Sequence, residues 1–243
     1  MLVHNVLAVD LANREALGLA GQIMRTRRNV PRKESVAASR RHPRRESRLW
    51  PRGVEMVGRP PEGATWVNLM DRGGDSFESL DRQQALGQFY LVRSRTNRNV
   101  RVRDAAGRWI KRKLHTWVRK LPSLGSRTVE VQGNGRQQAR TARVNVSAGP
   151  VELAVPHVKY GEHGKEPLCA WGVRVWETDA PAGQEPLEWI LLTNRPTATK
   201  PQAWERVDWY ACRPIIEEYH KAQKTGCGIC RGVRTPTRPR PPT

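Results

Sequence analysis

The sequence predicts an α/β fold into which an antiparallel β subdomain is inserted. An apolar strand at 65–70 leads through a Gly-rich turn into a helix at 77–85, the alternation expected of an α/β core. Residues 97–188 instead contain short alternating apolar segments between Gly and Pro turns, which is typical of antiparallel strands. An apolar strand at 186–193 and a helix from Lys200 onward then return the chain to the α/β pattern.

The chain is strongly basic. Its 243 residues include 43 Lys and Arg but 23 Asp and Glu, so the formal net charge is +20 and the pI is about 11.0. This excess predicts a polyanionic partner. No segment has the roughly 18 to 20 apolar residues of a membrane span, and the first residues lack the basic n-region of a signal peptide. The unevenly spaced cysteines predict free thiols in a reducing, cytoplasmic environment.

The amino-terminal region is predicted to be a β-hairpin followed by an exposed basic connection. Residues 3–9 and 16–23 are short apolar runs, separated by turn-forming residues that begin at Asp10. Residues 25–52 are rich in Arg, Pro, Ser and Glu and keep no apolar period, so helix is expected at most near 34–39. The basic side chains of this connection either stay solvated or contact phosphates.

Two acidic residues flank the turn after the strand at 65–70. Asp71 stands at the carboxyl end of that strand, where α/β folds expose functional groups, but an Asp in such a turn also serves as a helix cap. Asp75 precedes the helix at 77–85 and is expected to cap it.

Two further strands carry candidate binding side chains. The strand predicted at 88–95 places Arg93 and Arg95 on the same side, because side chains alternate along a strand. These charges either bind the polyanion or protect an edge strand from aggregation. The strand at 186–193 contains Trp189, a residue type usually found in the buried core.

One stretch near the carboxyl end combines groups suited to metal and phosphate chemistry. Five of its side chains fall within an arc of about 80° on a helical wheel: Tyr210, Arg213, Glu217, Lys221 and Lys224. The carboxylate could hold a divalent ion while the cations bind phosphates, or the face could be an ordinary solvated surface with i,i+4 ion pairs. Pro214 predicts a helix break near Arg213, with Pro214 in the first turn of a new helix that bears Glu217.

Three motifs in these segments resemble DDE transposases of the insertion-sequence-four type, the group that contains the transposon-five transposase. Tyr-x2-Arg-x3-Glu-x6-Lys at 210–224 is similar to the signature around the family's last acidic residue. The strand followed by Asp-Arg-Gly-Gly-Asp at 71–75 resembles the element that bears its second catalytic aspartate. Phe-Tyr-Leu-Val-Arg-Ser-Arg at 89–95 is similar to a strand that carries cations against transposon-end DNA.

The resemblance implies a partial ribonuclease H-like core, interrupted by the β insertion and lacking its first strand. The resemblance covers residues 1–226. It divides the chain into the first part of the core (1–95), the β insertion (96–188), the return strand and catalytic helix region (189–226), and a disordered Arg/Pro-rich tail (227–243).

The resemblance also implies roles for particular residues. It makes Asp71 and Glu217 catalytic metal ligands, with Mg²⁺ or Mn²⁺ as cofactor. It assigns contacts with DNA to seven other side chains: Arg93, Arg95, Trp189, Tyr210, Arg213, Lys221 and Lys224. Trp189 would be the aromatic on which an extruded base stacks.

A DDE enzyme uses three carboxylates and two divalent ions to hydrolyse and transfer phosphodiesters, and the first of these carboxylates has no clear counterpart in this sequence. Asp10 follows an apolar strand, but that strand resembles the family's second one, so Asp10 is expected to be an ordinary strand-end residue. Cys227 and Cys230 supply only half of a zinc-ligand set and are not expected to bind metal.

The sequence therefore predicts a catalytic-domain fragment of a DNA transposase, inactive alone. Its full-length parent would act on double-stranded DNA at transposon terminal inverted repeats, as a homodimer and without a membrane partner. One alternative is a non-enzymatic DNA-binding remnant, whose affinity would depend on salt but not on Glu217. Another is a basic RNA-binding protein, which the charge alone permits.

Overall fold

The computed structural model of the protein describes residues 2–131, 139–156 and 163–226. Over these residues the fold is mixed α/β, with a two-stranded sheet, an eight-stranded mixed sheet and few helices. The α/β class predicted from the sequence is confirmed at this level.

The amino-terminal hairpin forms as predicted. Strand β1 (Leu2–Val9) pairs antiparallel with β2 (Ala16–Arg25), and together they make the two-stranded sheet. Asp10 begins the intervening turn, where its Oδ1 accepts a hydrogen bond from the Ala12 backbone N–H at 2.8 Å. This contact gives Asp10 a turn-forming role.

Three helical segments follow the hairpin: α1 (Val36–Arg41), a single 3₁₀ turn (Glu46–Arg48) and α2 (Leu49–Val57). The prediction of an exposed connection as far as Arg52 is wrong at its end, because Leu49 and Val54 are buried where α2 packs against β1 and β2. This helix is difficult to predict from the sequence, because Pro51 suggests a helix break. Pro51 lies in the first turn, where a missing backbone N–H costs no helical hydrogen bond.

The large sheet contains the remaining strands, which are in chain order β3 (Val67–Met70), β4 (Phe89–Arg93), β5 (Asn99–Arg103), β6 (Trp109–Lys113), β7 (Gly125–Val131), β8 (Arg140–Leu153), β9 (Leu168–Glu177) and β10 (Glu188–Thr193). The spatial order is β3-β4-β10-β9-β8-β5-β6, and β7 pairs with the first half of β8. Only β3 and β4 are parallel among the pairs that the structure describes. The strands of 96–188 thus continue the sheet that contains β3 and β4.

The remaining helices are α3 (Phe77–Ala85), α4 (Leu114–Val118), α5 (Lys200–Tyr210) and α6 (Ile215–Thr225). Strand β10 has core on both faces. Leu192 packs with the residues of β4, β5 and α4, whereas Leu191 packs with β8, β9 and α5. Both leucines are fully buried.

Helix boundaries at the carboxyl end follow local sequence signals. Thr199 starts α5 with a capping box, and the helix ends at Tyr210. Pro214 then stands at the N-cap of α6, one position earlier than the predicted first turn, so the predicted break before Glu217 is confirmed. The break allows α6 to leave the direction of α5.

Candidate functional site

Asp71 follows directly after β3, and its side chain is fixed by the turn that it begins. Its Oδ1 accepts a hydrogen bond from the Gly73 backbone N–H at 2.7 Å. A Cβ at position 73 would lie 2.9 Å from that oxygen and 3.1 Å from the Trp50 ring, so a larger residue there would displace the Asp71 carboxylate. The carboxylate remains 42% exposed and can receive a second partner.

Arg213 joins Asp71 to Glu217. Its Nη2 donates to Asp71 Oδ2 at 3.0 Å, and its Nη1 donates to Glu217 Oε1 one helical turn further on. Residues 142 positions apart in the chain therefore meet, and both carboxylates share one guanidinium. We call these three residues the Arg213 site.

The surroundings of the Arg213 site are positively charged. Tyr210 is 6% exposed, and burial raises the pKa of its phenol to about 12, although Arg93 and Arg213 oppose this shift. The pKa of Arg93 is lowered by burial first and by Arg72 next. Arg72, Arg93 and Arg213 thus lie close enough to the buried phenol to oppose the rise of its pKa.

Two histidines lie beside the same site, and the sequence analysis did not single them out. The His4 ring packs edge-on against Trp50, with centroids 5.1 Å apart. Burial lowers the pKa of His4 most, His220 lowers it further, and Asp71 opposes both effects. His4 comes from β1 and His220 from α6, so no local spacing could have paired them.

Trp189 is half-buried and contacts Tyr210. Their rings meet edge-on with centroids 5.2 Å apart, and both residues pack into the core beneath α5. In this conformation Trp189 packs against Tyr210, which is the arrangement expected of a tryptophan that belongs to the core.

The other predicted contacts with DNA are spread around the site. β4 ends at Arg93, so Arg95 lies beyond the strand and does not share its face as predicted. Arg95 is exposed, and only its backbone N–H is held, by Asp75 Oδ2 at 2.7 Å. Lys221 and Lys224 are exposed on α6.

The prediction that Asp75 caps a helix is wrong. Its side chain is fully buried and accepts hydrogen bonds from the Arg95 N–H and the Arg98 guanidinium. Ser76 caps α3 instead, accepting from the Ser79 N–H at 3.2 Å. Asp75 therefore connects the start of α3 to the segment after β4, a non-local role that its sequence position did not reveal.

The Arg213 site offers two of the oxygen ligands that a divalent ion would need. Asp71 and Glu217 supply two carboxylates, and Mg²⁺ in proteins commonly takes one or two carboxylates while substrate oxygens complete its shell. Over the described ranges no group of three or more His, Cys, Asp or Glu is placed to bind a metal. Cys227 and Cys230 lie outside the described residues, as does the predicted tail at 227–243.

No protein-family model matches the sequence. Within the part of the chain that the structure describes, no helix is both long and apolar enough to cross a membrane.

Proposed function

We propose that the protein is a catalytic-domain fragment of a DDE-type DNA transposase with a partial ribonuclease H-like core. The single observation that supports this most is the meeting of Asp71 and Glu217 at Arg213. The first residue follows a core strand and the second lies on the helix whose spacing resembles the family signature. Two independent motifs of the resemblance thus converge on one site.

The residues of this site would bind and orient the phosphodiester backbone of double-stranded DNA at transposon ends. Arg213 and Arg93 would bind phosphate oxygens, and Tyr210 would donate its hydroxyl hydrogen bond to the same group. Lys221 and Lys224 would extend the cationic surface along α6, and exposed Arg95 would contact the flanking backbone.

Asp71 and Glu217 would hold a Mg²⁺ or Mn²⁺ ion together with oxygens of the DNA. When bound, such an ion polarises a phosphoryl oxygen and lowers the pKa of water or of a 3′-hydroxyl. Arg213 would then turn from the carboxylates to the phosphate, because the ion takes its place as their cationic partner. When DNA and metal bind together, the ion pairs between Arg213 and the two carboxylates would thus be replaced by a contact between Arg213 and a phosphate.

A DDE enzyme uses a third carboxylate, and among the described residues no further His, Cys, Asp or Glu joins Asp71 and Glu217 in a metal-binding group. Asp10 is engaged in its own turn through the Ala12 N–H. We therefore expect this chain by itself to bind DNA and an ion without cleaving DNA.

A second candidate is a DNA-binding remnant without metal chemistry. The observation that favours it is that Arg213 already forms ion pairs with both carboxylates, so no divalent ion is needed as their cationic partner. The two candidates differ in one property, since only the first requires the carboxylates to bind a divalent ion.

The test is a calorimetric titration of Mn²⁺ into the chain bound to a duplex with a free 3′-hydroxyl. Asp71→Asn and Glu217→Gln should each abolish the binding isotherm. The matched control is Glu218→Gln, which removes the neighbouring exposed carboxylate of the same helix and should leave the isotherm unchanged.

Loss of Mn²⁺ binding in both site variants, with the control intact, would support the transposase proposal. If wild type binds no Mn²⁺ while its DNA affinity is salt-dependent, the remnant is the correct function. A preference for structured RNA over duplex DNA of equal length would overturn both candidates.

A further inference from the structure

The β5–β6 hairpin is strongly basic and lies outside the Arg213 site. Between Asn99 and Lys113 the sequence has six basic residues and one acidic residue, a net charge of +5 within a total of +20. The strand β6 is the last in the sheet, so one of its edges carries no partner strand among the described residues.

The register of the hairpin places four of its basic side chains on one face: Arg101, Arg103, Lys111 and Lys113. Val100 and Val102 are each 1% exposed and point into the core. Because side chains alternate along a strand, their neighbours Arg101 and Arg103 point outward. Arg101 is directly opposite Lys111, and Arg103 is directly opposite Trp109.

Trp109 organises the outer face. Its ring is 38% exposed and lies 4.2 Å from the Arg103 guanidinium carbon and 5.1 Å from that of Arg101. Cation–π contacts of this kind help to hold guanidinium groups in place. Arg103 Nη1 also donates to the Gly107 carbonyl at 2.6 Å, so its remaining N–H groups are the ones that could meet a further acceptor. The guanidinium groups of Arg101 and Arg103 thus lie against the Trp109 ring, which helps to hold them in position.

The turn that joins the two strands is held by hydrogen bonds to one side chain. Asp104 Oδ1 accepts from the backbone N–H groups of Ala106 and Arg108 at 3.0 and 2.8 Å. Gly107 adopts a φ of +75°, a conformation that glycine reaches without strain. The cationic face therefore needs little ordering when a ligand binds.

Like charges that face each other across a strand pair are destabilising, so the Arg101–Lys111 pair carries an electrostatic cost. Glu152 offsets part of it, through an ion pair with Arg101 at 2.9 Å. Lys111 and Lys113 are exposed and have no ion-pair partner over the described ranges. A polyanion laid across this face would remove the cost.

We propose that the outer face of the β5–β6 hairpin is a second DNA-binding surface, which holds the phosphate backbone of duplex DNA through Arg103, Lys111 and Lys113. The contacts are to phosphates and therefore independent of base sequence. The inference rests on the proposed function only in taking DNA as the partner, since it requires neither metal nor catalysis.

The experiment measures the salt dependence of DNA affinity for Lys111→Gln/Lys113→Gln. Loss of two phosphate contacts should reduce the slope of log K against log salt by about 1.8 and weaken binding at 0.1 M salt by up to about 60-fold. The charge-matched control is Lys165→Gln/Lys200→Gln, which removes two exposed cations elsewhere and should change the slope far less. Fluorescence anisotropy with a mixed-sequence duplex gives both quantities.

Two results would overturn the inference. One is an equal change of slope in the hairpin variant and in the control, which would mean that net charge alone attracts DNA. The other is an unchanged slope together with self-association of the hairpin variant in sedimentation, which would mean that the lysines only protect an edge strand.

The failure of the proposed function would be visible separately. The Mn²⁺ titration of the hairpin variant should match that of the wild type, because Lys111 and Lys113 lie on β6 and are not part of the Arg213 site. If Mn²⁺ binds neither protein but the hairpin variant shows a smaller slope of log K for DNA against log salt, the DNA-binding surface is supported and the proposed catalytic function is refuted. Stronger binding to single-stranded DNA, with loss of it in Trp109→Leu, would instead assign base stacking to this face and overturn the duplex-backbone proposal.

Discussion

Replacing Arg213 by Gln should change two measured affinities in opposite directions. The guanidinium donates to Asp71 at 3.0 Å and also to Glu217, so its removal leaves two carboxylates without their shared cation. These carboxylates are 42% and 63% exposed, so each ion pair should contribute only about 0.2–1 kcal/mol. A divalent ion that no longer has to displace the guanidinium should bind about 2- to 30-fold more tightly, since 1.4 kcal/mol is a factor of ten.

The same substitution should weaken DNA binding in the absence of divalent ions. Loss of one phosphate contact reduces the salt slope by about 0.9 and the affinity at 0.1 M salt by up to about eightfold. Repulsion between the phosphates and the unpaired carboxylates adds to this loss. Calorimetry with Mn²⁺ and no DNA measures the first affinity, and fluorescence anisotropy in chelator measures the second.

Lys224→Gln provides the control, because it removes the same charge from an exposed position on α6. It should lower DNA affinity while leaving Mn²⁺ affinity near that of the wild type. Equal Mn²⁺ affinities for wild type and Arg213→Gln would refute the reasoning, since the guanidinium would then not compete with a metal for these carboxylates.

Three further predictions concern stability. Asp75→Ala should lower the free energy of unfolding by about 3–5 kcal/mol in urea titrations, because it removes the buried acceptor of a guanidinium, whereas exposed Asp179→Ala should stay within about 0.5 kcal/mol of the wild type. Leu192→Ala should cost about 2–5 kcal/mol in the same assay, since the residue is fully buried in the central strand β10. The hydrogen bond from Arg119 is the main cause that lowers the pKa of Glu188 below its ordinary 4.5. Its stabilisation is therefore present above pH 4.5 and lost as the pH falls through the folded pKa, so urea titrations of Glu188→Gln should show a weaker decline in stability on acidification; an unchanged decline would contradict this assignment.

Local sequence signals placed several elements well. The bounds of α3 at Phe77–Ala85 follow from the Gly-rich turn before it, although its cap is Ser76 and not the predicted Asp75. The break at Pro214 follows from the absence of a backbone N–H. These features depend on residues close together in the chain, where spacing and backbone chemistry are sufficient.

The sequence predicted which residues form the candidate site better than it predicted how they are arranged. The residue types at Asp71, Arg213 and Glu217 were singled out from spacing and resemblance. Their mutual contacts were not, because an ion pair across 142 residues depends on where α6 packs relative to β3. The same holds for His4 and His220, which have no shared pattern in the chain.

The sequence by itself determined the α/β class, the strongly basic character, the amino-terminal hairpin and the helix break before Glu217. Only the tertiary structure decided that Asp75 is a buried ion-pair partner and that the strands of 96–188 extend the sheet containing β3. It also decided that Arg101 and Arg103 of β5 share one outer face with Lys111 and Lys113 of β6. The physical reason is that strand order and register are set by long-range packing, so the partners of each side chain are specified by the whole fold.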